Sequence, residues 1–150
     1  ISILLSVLLP AIANAIRAAR VLKCASNLSQ LWKVEYLYML QHGGPGRSMP
    51  VEFGSAFWRK LREPRPPLIE EEETEIFRCP ATANPASPEE TDYWGPVPNV
   101  QALGNSAPVG RDDELHPVDE RINVLQKSGA VNEVGTEESL FQRSETTTGP

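Results

Sequence analysis

Cysteine and histidine are scarce in this chain: Cys24 and Cys79, His42 and His116 are all that 150 residues contain. A c-type haem needs C-x-x-C-H, and a structural zinc site draws on cysteines paired at short spacing; neither pattern occurs. No G-x-S-x-G elbow is present, and carboxylates scattered in pairs are too common to signal acid–base catalysis, so an enzyme is not expected. Aromatics make up 7% of the residues and do not alternate with a basic patch. The net charge of −6 would repel phosphates, which argues against a nucleic-acid partner. A run of about 20 apolar residues, enough to span a bilayer as a helix, is also missing. The sequence begins at Ile1 rather than methionine and without the basic n-region of a secretory signal, so either a processed chain or one lacking its first residues is expected.

What is present divides the chain in two. The first sixteen residues, "ISILLSVLLPAIANAI", carry no charge, and Arg17, Arg20 and Lys23 follow them. Residues 1–41 hold four bases and one acid, a net of +3, whereas the remainder is rich in proline, glycine and glutamate and carries a net of −9. Bases directly after an apolar segment suit the cytoplasmic boundary of a membrane anchor, which by itself predicts a cytoplasmic head.

From Pro10 to about Gln41 the pattern reads as one long helix. Val21, Ala25, Leu28, Trp32, Tyr36 and Met39 recur at three- and four-residue steps and give it one adhesive face. Pro10 should kink its apolar part, and "HGGPG" should stop it. Such a helix of about 40 residues is roughly 60 Å long, too long to be covered by a head of about 110 residues, so part of it must project. Beyond it, "EFGSAFWRKLRE" predicts a short amphipathic helix carrying Phe53, Phe57, Trp58 and Leu61. "EPRPPLIEEEETEIFRCP" predicts an extended loop, an acidic run and, at Ile76 to Cys79, the end of a strand. "TDYWGP" predicts a short strand or a turn with an aromatic plug. "INVLQKSGAVNEV" is a hairpin, with Ile122, Val124, Val131 and Val134 flanking a Ser128-Gly129 turn. The expected organisation is α+β: a helical stem at 1–42 (apolar 1–16, amphipathic 17–41), a loop-rich antiparallel head at 43–136, and a polar tail at 137–150.

An apolar helix containing "LLPA", continuing through "AIRAAR" to "CASNLSQLWKVEYLYMLQHGG" and meeting a small β-rich head, resembles the type IV pilin and type II secretion pseudopilin superfamily. "FRCP", "DYWGP" and the late histidine before "NVLQKSGAVNEV" are similar to the prepilin-like H-X9-DG family abundant in planctomycetes. The hairpin here turns on Ser128-Gly129 rather than Asp-Gly, and the assembly glutamate of such subunits has no counterpart after Ile1. The resemblance implies a chain that is inserted in the inner membrane, loses a basic leader on the cytoplasmic side and is then polymerised by pilus or secretion machinery. Apolar helices would bundle at the centre of the fibre, so neighbouring subunits would cover what lipid covered before. That cleavage would also reconcile an exported head with the position of the basic cluster.

On this reading Ile1, Ile3, Leu4, Leu5, Val7, Leu8, Leu9, Pro10, Ile12 and Ile16 form the assembly helix, and Val21, Leu28, Trp32 and Tyr36 seat the head. Cys24 and Cys79, an even count in an exported chain, are candidates for a disulfide bracing helix to head; two buried free thiols are the alternative. His42 and His116 are expected in solvated or capping positions. The acidic loop "GRDDELHPVDE" offers Asp112, Asp113 and Asp119 as weak calcium candidates, with a solvated loop as the alternative, and no other cofactor is expected. The expected function is a structural subunit of an extracellular filament. A secretion pseudopilin forming a short periplasmic piston, or a membrane-anchored module binding through the acidic loop or Trp94, are the alternatives.

Overall fold

The computed structural model describes residues 2–42, 49–64, 67–83, 85–87, 90–96, 103–112, 116 and 121–135, with side chains on the first helix from Leu8 onward. Helix α1, Ser2–Gln41, runs without interruption through Pro10. It ends where His42 N–H donates to Tyr38 O at 2.8 Å, immediately before the glycine-rich stretch. A short α2, Ser55–Arg59, continues into a 3₁₀ turn at Lys60–Arg62. A second 3₁₀ segment, Glu71–Phe77, occupies most of the acidic run and the first two residues of the expected strand end.

Among the described residues four strands follow: β1 (Tyr93–Trp94), β2 (Pro108–Asp112), β3 (Arg121–Gln126) and β4 (Val131–Gly135). They form a single antiparallel meander in the order β1-β2-β3-β4. The fold is therefore α+β, a long N-terminal helix against a small antiparallel sheet. The hairpin between β3 and β4 pairs Leu125 with Val131 and Ile122 with Val134. Gly129 sits in its turn at φ 89°, a left-handed conformation that glycine adopts without a Cβ penalty. A Cβ there would also meet the Trp32 ring at 3.3 Å, so the turn is seated directly on the helix.

Ile76 to Cys79, which the sequence suggested as the end of a strand, divides: Ile76 and Phe77 close the 3₁₀ segment, and residues 78–79 pair with no strand among the described residues. Arg78 has extended backbone angles at the end of the 3₁₀ segment, yet its neighbours hold it by side chains rather than by a ladder. Asn27 Nδ2 on α1 donates to Arg78 O at 2.7 Å, and Tyr93 Oη donates to the same carbonyl at 2.8 Å. Asp92 accepts from Cys79 N–H at 2.9 Å, and Thr91 Oγ1 donates to Phe77 O at 3.1 Å. An irregular segment can be buried only when its backbone groups find partners of this kind.

The core lies between the C-terminal half of α1 and the head. Leu28 and Leu31 meet Phe57, Trp58, Leu61, Phe77, Tyr93, Val109 and Leu125, all buried. Gly110 on β2 permits the close approach of Trp58, since a Cβ would stand 2.8 Å from its ring. On the opposite face of the sheet, Ile122 and Val124 pack with Trp94 and Val134. The head covers α1 only from Val21 onward. Leu8 through Arg20 is exposed apart from a half-buried Ala13, a projecting length of about 20 Å at 1.5 Å per residue.

This division gives opposite expectations for two leucines of one helix. Leu28→Ala should destabilise the head by about 2–5 kcal/mol through lost burial and a residual cavity. Leu9→Ala, on the projecting part, should stay within about 0.5 kcal/mol. Urea unfolding of both variants checks this, and equal losses would mean that the projecting segment packs on its own head.

Candidate functional site

Two features have functional potential: the uncovered N-terminal part of α1, and a buried polar cluster where α1 meets the head. On the first, Leu8, Leu9, Ile12 and Ile16 are 46–61% exposed, and nothing among the described residues packs over them. Ile3, Leu4, Leu5 and Val7 share this helix, with side chains outside the described set, and Ile1 lies outside it altogether. Among the described residues no helix is long and apolar enough to cross a membrane.

The four residues expected to seat the head divide. Leu28 is fully buried, Trp32 is half-buried beneath the hairpin turn, and Val21 is half-buried with its carbonyl accepting from Asn123 Nδ2 at 3.3 Å. Tyr36 is 56% exposed and does not pack there. The buried stripe is Cys24, Asn27, Leu28, Leu31 and Glu35, rotated about the helix axis from the stripe that apolarity alone selects. The reason is that two polar residues belong to it. Asn27 serves the 78–79 backbone, and Glu35 is enclosed with neither carboxylate oxygen partnered among the described residues. Burial pushes the Glu35 carboxyl up to about 8, so at pH 7 it is mostly neutral.

The second feature is built on the Cys24–Cys79 disulfide, whose Cα atoms lie 4.8 Å apart. It joins α1 to the extended segment after the 3₁₀ helix. His116 and Asp112 stand beside it: His116 Nε2 is 3.5 Å from Cys79 Sγ and 2.9 Å from Asp112 Oδ2. Asp112 Oδ2 also accepts from Asn123 N–H at 2.7 Å, and His116 N–H donates to Arg121 O at 2.9 Å. Ligand atoms of all four residues lie within 4.8 Å of one another, and all four residues are buried. A groove of about 270 Å³ lined by Arg17, Arg20, Pro80, Thr82 and His116 reaches this cluster from outside.

These positions correct one sequence expectation and bear on another. His116 is buried rather than solvated, because its backbone N–H bonds to Arg121 O on β3 and its ring lies against Asp112 and Cys79. Asp112 is likewise buried at the end of β2 and faces sulfur and imidazole, a donor set that does not suit an oxygen-seeking calcium ion; Asp113 and Asp119 lie outside the described residues. His42, by contrast, is exposed next to the Tyr38 ring. Sequence spacing gave no signal for the cluster, since its members come from a helix, an irregular segment, a strand end and a loop. The polar tail at 137–150 lies outside the described residues. Comparison of the chain with protein-family models, curated proteins and solved structures finds no match.

The Glu35 environment has a pH consequence with a definite sign. Its folded-state pKa lies above the ordinary 4.5, so the folded chain binds more protons than the unfolded chain between about 4.5 and about 8. Stability then falls as pH rises through that window, by up to about 1.4 kcal/mol per pH unit from this group. Glu35→Leu removes the group at similar volume. The variant should be the more stable, with an advantage over the parent that is wider at pH 8.5 than at pH 5 in urea unfolding. An advantage that does not change with pH would mean that the carboxylate is compensated in the folded chain.

Proposed function

We propose that this chain is a structural subunit of an extracellular filament of the type IV pilin kind, polymerising through the apolar N-terminal part of α1. The observation that carries this reading is the coincidence, in one helix, of an uncharged apolar segment left uncovered by its own head and a following segment clamped to that head by a disulfide. At about 25 cal/mol per Å² of apolar surface removed from water, bundling such segments from several subunits is a strong source of cohesion. Homotypic packing is favoured because each copy brings the same apolar segment to the same axis, while the rigid junction at Cys24 holds every head at one distance from it. Net negative heads repel weakly and keep finished fibres apart.

The H-X9-DG resemblance supports the same reading: "FRCP" and "DYWGP" supply the residues that hold the head on the helix, and the "NVLQKSGAVNEV" hairpin seats on Trp32. Partners on this reading are further copies of the chain, the inner membrane before assembly, and the assembly machinery. A pseudopilin of a secretion system would share the architecture and differ in fibre length.

Electron microscopy of material sheared from the source cells, with mass spectrometry of the same fraction, tests this. Long fibres containing the chain are expected. Ile12→Asp combined with Ile16→Asp should abolish them while leaving the unfolding midpoint of the head unchanged, because neither side chain is covered by the head. A chain confined to the membrane fraction, with no fibre containing it, would overturn the filament reading.

A further inference from the structure

We infer that Cys24, Cys79, Asp112 and His116 form a redox-gated binding site for one divalent transition-metal ion of the zinc class. With the disulfide intact the sulfurs are bonded to each other and the site is closed. After two-electron reduction it holds the ion by two thiolates, one imidazole nitrogen and one carboxylate oxygen.

Three observations carry the inference. The first is the donor set, since two sulfurs, an imidazole and a carboxylate are the ligand types of four-coordinate zinc sites, gathered within 4.8 Å. The second is spacing. Bond lengths of about 2.3 Å to sulfur and about 2.0 Å to nitrogen separate tetrahedral S and N ligands by about 3.5 Å, and Cys79 Sγ and His116 Nε2 already stand 3.5 Å apart. The third is an unmet polar atom. Asp112 Oδ1 is buried and has no partner among the described residues, although its sister oxygen serves both Asn123 N–H and His116. A buried carboxylate oxygen left this way is costly in the closed state, and a cation in the cluster would relieve it.

A phosphine or dithiol reductant gives two electrons to the Cys24–Cys79 bond and the S–S bond breaks; with a phosphine, one water supplies the oxygen of the phosphine oxide and a proton to each sulfur, and with a dithiol, its own two thiol protons pass to the sulfurs as it closes to a cyclic disulfide. The ion then displaces both thiol protons to solvent. His116 offers the Nε2 lone pair, with its remaining proton on Nδ1. Freed sulfurs can part to the roughly 3.8 Å that two tetrahedral thiolates require. Two thiolates, one carboxylate and a divalent ion leave one negative charge, which Arg17 and Arg20 in the adjoining groove offset. The groove is also the route by which reductant and ion arrive.

The test uses the whole 150-residue chain in mild detergent, reduced with a phosphine that does not chelate, and titrated with Co2+. A thiolate-to-cobalt charge-transfer band and intense tetrahedral d–d bands should saturate at one ion per chain, and added Zn2+ should bleach them. X-ray absorption at the cobalt edge should read two sulfur and two nitrogen or oxygen neighbours. The unreduced chain and the Cys24→Ser/Cys79→Ser chain should show neither band. His116→Ala and Asp112→Asn, first shown by circular dichroism to keep the helix in their disulfide form, should bind Co2+ at least tenfold more weakly. If reduction loosens the head, recovery of the helix signal together with the bands on adding Co2+ supports the site equally, because metal binding then drives folding. Absence of the bands in the reduced chain, an edge spectrum without two sulfurs, or undiminished binding by both variants would overturn the inference.

Discussion

The structure depends on how one irregular segment is fixed to one helix. Residues 78–79 follow a 3₁₀ turn and join no sheet, yet they lie at the centre of the junction between α1 and the head. A covalent bond from Cys24, an amide from Asn27 and a phenol from Tyr93 all converge on them. Because Asn27 stands one turn beyond Cys24, the helix presents both groups to the same stretch of chain. Burial pushes the Tyr93 phenol well above its ordinary range, so it remains a hydrogen-bond donor at any physiological pH. Hydrophobic packing of Leu28 and Leu31 then fills the space around a junction whose geometry polar groups and the disulfide have already set.

That arrangement explains how a small head holds so long a helix. An isolated contact patch of leucines would permit the helix to slide or turn, since apolar packing is weakly directional. Hydrogen bonds to defined carbonyls and one S–S bond do not permit it. The same rigidity keeps residues 8–16 clear of the head, where their apolar side chains remain available to other molecules. A second consequence is that two sulfurs, an imidazole and a carboxylate are held together in the junction, beside a groove lined by two arginines.

Much of this fold was legible in the pattern of residues. The helix to Gln41 followed from its three- and four-residue apolar spacing and from the glycines after it, and the hairpin followed from alternation around Ser128-Gly129. Both are local signals. The buried stripe of α1 was less legible, because Asn27 and Glu35 look like surface residues and Tyr36 looks like a core residue. Asn27 is buried for its hydrogen bond to the Arg78 carbonyl, a partner 51 positions away. The strand suggested at Ile76 to Cys79 rested on a short apolar run, and local propensity there yields to the bonds made by Asn27, Thr91, Asp92 and Tyr93.

The sequence by itself determined the long helix with its uncharged apolar beginning, the charge division between stem and head, and the terminal hairpin, because each arises from neighbours a few positions apart. Only the tertiary structure decided which face of the helix is covered, that Glu35 is enclosed, and that His116 and Asp112 meet the two cysteines. Those outcomes depend on contacts between residues tens of positions apart, where burial and hydrogen bonding outweigh the preference any one side chain shows along the chain.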